Sequence, residues 1–171
     1  MPYDPTRHHR RSIRLRGYDY TAQGAYYVTI CVHGRERLLG DVVGGAMHLS
    51  ECGRIVAECW AAIPDHFSGV ELDAFVTMPD HVHGIVVIAT DQPAPTTGGR
   101  PNGPPKRSLS AIVGSFKAAA ARQINQMHDT ADAPLWQRNY YEHIVRDAAD
   151  LNRIRAYIER NPARWPGARP R

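Results

Sequence analysis

The order of secondary-structure elements along the chain predicts an α+β fold. Two observations carry this: runs dense in β-branched and aromatic residues recur along the 171 residues, and long stripes at helical spacing separate them. A third is the order itself, β(β)αββαβ followed by a helix. Its core is the split β-α-β arrangement of ferredoxin-like folds. The expected architecture is an antiparallel sheet with helices on one face and an additional C-terminal helix.

The first strand is Ala25 to His33, AYYVTICVH, rich in β-branched and aromatic side chains. Leu38 to Leu49 carries Gly44-Gly45 between apolar stretches and reads as a second strand or a short hairpin. Ser50 is an N-cap with Glu51 in the first turn; Ile55, Val56, Cys59 and Ile63 follow at helical spacing until Pro64 stops the helix. Val70, Leu72, Ala74, Val76 and Met78 then alternate with Glu71, Asp73, Phe75 and Thr77, the period of a half-buried strand. Pro79-Asp80 supplies turn chemistry, and His81 to Ile88 is a strand of continuous apolar character.

Residues 91–108 form a Pro/Gly-rich loop without periodicity. Leu109, Ile112, Val113, Phe116, Ala120 and Ile124 mark a helix of about four turns. Leu135 to Val145 reads as one more strand. The last helix, Ala148 to Arg160, is capped by Asp147 and ends at or near Asn161 because Pro162 follows. The length suits one domain, residues 1–171, with a basic arm at 1–20 and a basic tail at 161–171.

Charge is distributed unevenly. Residues 1–16 hold five arginines against Asp4, and residues 152–171 hold six against Glu159, while the whole chain carries only +4. Basic ends on an acidic body suggest a polyanionic partner, and arginine suits phosphate. No apolar run approaches a membrane span, and the N-terminus lacks the apolar core of a secretory signal. Cys31, Cys52 and Cys59 are odd in number and form no Cys-x-x-Cys pair, which argues against a disulfide framework or a cysteine zinc site and for a reducing cytoplasm.

Three groups of residues can do chemistry. His81 and His83 are two apart on a strand and share a face, so they are either half of a divalent-metal site or a pair of hydrogen-bonded structural histidines. Tyr157 lies on the apolar stripe Leu151, Ile154 and Ile158, where it is a core aromatic unless it meets a phosphate; Asn161 shares its face one turn later. Trp136 to His143 offers aromatics for base stacking, Arg138 for phosphate and His143 as an extra ligand, or else a packed strand. On that segment Tyr141 and His143 share one face, Tyr140 and Glu142 the other.

Arg11–Tyr20 (RSIRLRGYDY), Tyr27–Cys31 (YVTIC), Met78–Ile85 (MPDHVHGI), Gly114–Lys117 (GSFK), Trp136–His143 (WQRNYYEH) and Tyr157–Pro162 (YIERNP) occur in this order over nearly the whole chain. Together they resemble the single-tyrosine (IS200-like) transposases of the HUH nuclease class, in particular the REP-associated tyrosine transposase branch. The resemblance implies a ferredoxin-like nuclease acting on single-stranded DNA with hairpin or REP-like structure. It implies that Tyr157 is the nucleophile, forming a 5′-phosphotyrosine, and that His81 and His83 hold a divalent ion, Mg²⁺ or Mn²⁺. Asn161 stands where the insertion-sequence branch has a glutamine as third ligand; His143 is the alternative. Arg11, Arg14, Arg16, Lys117, Arg138, Arg153 and Arg160 are the residues expected near DNA. The protein would act as a monomer or homodimer in the cytoplasm, associated with the nucleoid. Two other readings remain at this stage: a DNA-binding regulator of the same fold, and a metal-dependent hydrolase that uses water.

Overall fold

A computed structural model describes residues 22–89 and 108–167. The expected DNA contacts Arg11, Arg14 and Arg16 lie outside the described residues, as does nearly all of the 91–108 loop. The elements are β1 (Gly24–Cys31), β2 (Gly40–Val43), β3 (Ala46–Leu49), α1 (Glu51–Ala61), α2 (Ile63–His66), β4 (Val70–Met78), β5 (His81–Ile88), α3 (Leu109–Met127), β6 (Tyr141–Ile144) and α4 (Ala148–Arg160), with single 3₁₀ turns at His33–Arg35 and Pro162–Arg164.

Four strands form an antiparallel sheet in the order β4-β5-β1-β6, and β2-β3 form a separate hairpin. Helix α1 thus connects β1 to β4 with β5 between them, and α3 connects β5 to β6 with β1 between them. That is the interleaved pair of split β-α-β units expected from the element order. The hairpin turns on Gly44 and Gly45, at φ 57° and 79°. Two consecutive left-handed residues make the turn whose twist matches its strands.

Capping follows the side chains. Ser50 Oγ accepts from Gly53 N at 3.0 Å and donates to the Leu38 carbonyl at 2.7 Å, tying α1 to the chain before the hairpin. Helix α1 already ends at Ala61, and Pro64 stands in the first turn of α2, where its missing N–H has no helical partner to lose. Helix α3 starts at its Ser108 cap and runs 19 residues, about five turns rather than the four expected.

The sheet is covered on both faces, which corrects the expectation of helices on one. On the first face Tyr26, Val28, Ile30, Val82, Val86 and Ile88 pack against α1 and α3 through Val56, Trp60, Ile112 and Phe116. On the second, Tyr27 and Ile85 pack against Ile154 and Ile158 of α4. The continuous apolar run of β5 is what a central strand buried on both sides requires.

Strand β4 departs from strict alternation. Leu72 pairs with Val86 and Phe75 with Gly84, so two residues of β4 oppose the single Ile85 and form a bulge. The extra residue flips the pattern. Phe75 turns into the first core and stacks on Trp60 at 4.8 Å between ring centroids, while Ala74 and Val76 face α4.

The expected strand Leu135 to Val145 is also shorter than its pattern. Tyr141–Ile144 alone pairs with β1, and Trp136 makes an isolated bridge to Val32. Between them the carbonyls of Gln137 and Arg138 accept from the Lys117 ammonium at 2.7 and 3.2 Å. A side chain from α3 satisfies backbone groups there that a strand would give to its neighbour.

Candidate functional site

The site is built on the face of the sheet beneath α4. β1 and β5 pair with Thr29 opposite His83 and Cys31 opposite His81. Alternation then puts Tyr27, Thr29, His81 and His83 on one side. Both histidines are buried, and their Nε2 atoms face each other at 2.9 Å.

The far nitrogen of each ring is engaged as well. Asp80 Oδ1 lies 2.5 Å from His81 Nδ1, and Arg35 Nε lies 3.2 Å from Asp80 Oδ2. His83 Nδ1 lies 2.8 Å from the Tyr27 hydroxyl and 2.9 Å from Thr29 Oγ1. Burial pushes both imidazole pKa values down, that of His83 to about 3 with a further push from His81. Neutral imidazoles at pH 7 are the metal-ligating form. Burial likewise pushes the Tyr27 phenol up to about 12, so it stays protonated.

This donor set fits a divalent ion. Two ligand atoms about 2.1 Å from an octahedral ion and at right angles stand about 3.0 Å apart, close to the 2.9 Å between the Nε2 atoms. With both Nδ1 atoms engaged, Nε2 is the nitrogen left for coordination. Among the described residues no three His, Cys, Asp or Glu side chains group as a complete ligand set.

Helix α4 brings Tyr157 to this pair. Its ring lies 5.3 Å from that of His83 and 6.4 Å from that of Tyr27. Ile154 and Ile158 are 5% and 1% exposed, but Tyr157 is 46% exposed, on the shoulder of the apolar stripe rather than in it. Asn161 is the C-cap residue one turn further on. Beyond it Trp165 returns to within 5.7 Å of His81, with the Arg37 guanidinium over its indole.

A cleft of about 670 Å³ opens beside Tyr157, between the sheet and α4, lined also by Tyr27, Tyr141, Arg153, Arg160 and Arg164. His143 lines it too, yet its Nε2 is 2.8 Å from Asp150 Oδ2, and β1 stands between it and the histidine pair. Lys117 is on α3, across the sheet from Tyr157, with its ammonium on the two carbonyls described above. Arg138 is exposed beside them.

Asp150 ties the start of α4 to the sheet. It takes His143, Arg153 and the Arg146 N–H, and these partners hold its carboxyl well below the usual carboxylate range. A depressed native pKa adds stability that is fully present above the unfolded value of about 4 and is lost as pH falls below it. Asp150→Asn is therefore expected to lower Tm at pH 7, by an amount that shrinks steadily on acidification below pH 4. Melts of both proteins across that range test it; a difference independent of pH would contradict it.

A family model described as "Transposase IS200 like" matches residues 102–161, a stretch that holds α3, β6 and α4 and ends on Asn161. An uncharacterised protein of Haemophilus influenzae is 38% identical over 175 residues, covering 95% of this chain and 93% of that one. Through residues 102–161 the chain matches the IS200-like transposase family. The structure of a REP-associated tyrosine transposase bound to a REP hairpin has the same fold, with a TM-score of 0.63 at 17% identity over 92% of this chain and 81% of that one. Among the described residues, no helix is long and apolar enough to cross a membrane.

Residues of the site that sequence reasoning missed are Tyr27, Thr29, Arg35, Asp80, Arg164 and Trp165. For Tyr27 and Thr29 a signal existed, since alternation puts them on one face of β1. Nothing local in the sequence marks Arg35, which reaches Asp80, or Trp165, which reaches His81.

Proposed function

We propose that this protein is a metal-dependent single-strand DNA endonuclease and strand transferase that cleaves and rejoins hairpin-containing DNA through a 5′-phosphotyrosine at Tyr157. The observation that carries the reading is an exposed tyrosine whose ring stands 5.3 Å from a buried, neutral histidine pair at the edge of an arginine-lined cleft. His81 and His83 would hold Mg²⁺ or Mn²⁺, with Asn161 as the further protein ligand. Such an ion supplies positive charge at the scissile phosphate and at the developing oxyanions.

The chain's own groups do the rest. The Tyr157 oxygen attacks phosphorus and gives up its proton, the bond from phosphorus to the 3′ oxygen breaks, and that oxygen leaves as a 3′-hydroxyl after taking a proton. The phosphate ester is conserved in the protein–DNA link, so a 3′-hydroxyl can later attack it and rejoin a strand. Arg153, Arg160 and Arg164 bind the sugar–phosphate backbone, and Tyr141, 47% exposed, offers a stacking face for a base.

The test is a denaturing gel of the purified chain with 3′-labelled single-stranded hairpin DNA and Mg²⁺ or Mn²⁺. Label migrating with the protein supports the reading. Cleavage that leaves no label on the protein points to water as nucleophile, and binding without cleavage to a DNA-binding regulator; either overturns it. Arg160→Ala and Arg164→Ala are each expected to weaken binding across sequences. Each should also flatten the salt dependence of log K by about 0.7. Titrations at several salt concentrations read this directly, and unchanged slopes would remove these arginines from the DNA path.

A further inference from the structure

We propose that Asp80, itself held by Arg35, is a positioning residue that fixes His81 as a metal ligand; the inference rests on the metal reading above. Asp80 forms the tight turn between β4 and β5 and is 7% exposed. One of its carboxylate oxygens is 2.5 Å from His81 Nδ1 and the other 3.2 Å from Arg35 Nε. A carboxylate behind a ligating imidazole keeps the proton on Nδ1, directs the Nε2 lone pair outward and stops the ring from rotating.

The surroundings hold Asp80 in this role from both sides. Its carbonyl accepts from Val32 N at 2.9 Å, and that of Pro79 accepts from Leu39 N at 3.0 Å, so the turn is pinned to the segment between β1 and β2. In that segment Arg35 takes a left-handed backbone, φ 58°, which residues other than glycine, asparagine and aspartate rarely adopt. The conformation brings its guanidinium to Asp80 and to Cys31 Sγ at 2.8 Å. His83 is oriented differently, by the hydroxyls of Thr29 and Tyr27. The two ligands therefore have unlike support, anionic behind His81 and neutral behind His83.

Calorimetric titration of the full chain with MnCl₂ tests this. Asp80→Ala is expected to weaken Mn²⁺ binding 10- to 100-fold. Asp80→Asn, which keeps an acceptor oxygen, should recover part of that loss. Arg35→Ala, at an exposed position, should weaken binding by less than tenfold and add nothing in an Asp80→Ala background, since it acts through Asp80. ¹⁵N spectra of the metal-free chain should report the Nδ1–H tautomer for His81, giving way to a tautomer mixture in Asp80→Ala. Should Asp80→Ala fail to fold, Asp80→Asn and Arg35→Ala carry the same readouts. Mn²⁺ affinities equal to wild type in these variants would overturn the inference and leave the proposed function standing. A wild-type chain that binds neither Mn²⁺ nor Mg²⁺ would overturn both.

Discussion

Tyr157→Phe is expected to abolish the protein–DNA adduct and to lower strand cleavage by about 10³-fold or more, while DNA binding is kept. The substitution removes one oxygen and leaves a ring of the same shape, so the contacts at 5.3 Å with His83 and 6.4 Å with Tyr27 persist. At a site 46% exposed the change should stay within about 0.5 kcal/mol of wild-type stability. A loss of activity then reports on chemistry and not on folding. The Tyr27 phenol cannot take over the attack, because it is held protonated by burial and bonded to His83. Removal of a covalent nucleophile costs orders of magnitude in rate, whereas a water-activating enzyme would be nearly indifferent to it. Cleavage by the phenylalanine variant at near wild-type rate would end the transesterification reading.

Gly84→Ala is expected to destabilise the fold by about 1–3 kcal/mol, although the change adds a single methyl group. A Cβ at this position would stand 2.3 Å from Trp60 Cζ2, with two further indole atoms inside 3.0 Å. The indole has nowhere to go. It stacks on Phe75 at 4.8 Å and meets Phe116 edge-on at 5.2 Å in the first core. For a chain of this size each kcal/mol corresponds to roughly 2–4 °C, so Tm should fall by about 2–12 °C. Thermal melting measures this directly, and a variant that melts with the wild type would show that the core can yield at Trp60. The effect couples fold to site, because Gly84 follows His83 on β5. One side of the strand presents the histidines, and the next residue has to leave room for a tryptophan on the other.

Much of the fold was legible because it rests on local periodicity. The strand at Ala25 to His33, the Ser50 and Asp147 caps, the long stripe from Leu109 and the helix before Pro162 were all readable within one element. Alternation also sufficed to put His81 and His83 on one face, and Tyr141 and His143 on another strand's face. The misreadings beyond helix lengths have one source. The bulge at Asp73–Ala74, the Lys117 bonds that interrupt the Trp136 strand and the placement of α4 on the second face all depend on a partner distant in sequence.

The site divides the same way. Which residues could act, and which way each points from its own strand or helix, follows from residue chemistry and from the 2.0 and 3.6 periods. How far apart they stand does not, because a period fixes direction within an element and carries no distance between elements. The register that pairs Thr29 with His83, the docking of α4 that leaves Tyr157 exposed beside that histidine, and the turn that hands Asp80 to both Arg35 and His81 are products of packing. Packing likewise took His143 to Asp150. A carboxylate at the head of α4 offered it a stronger partner than a histidine pair two strands away.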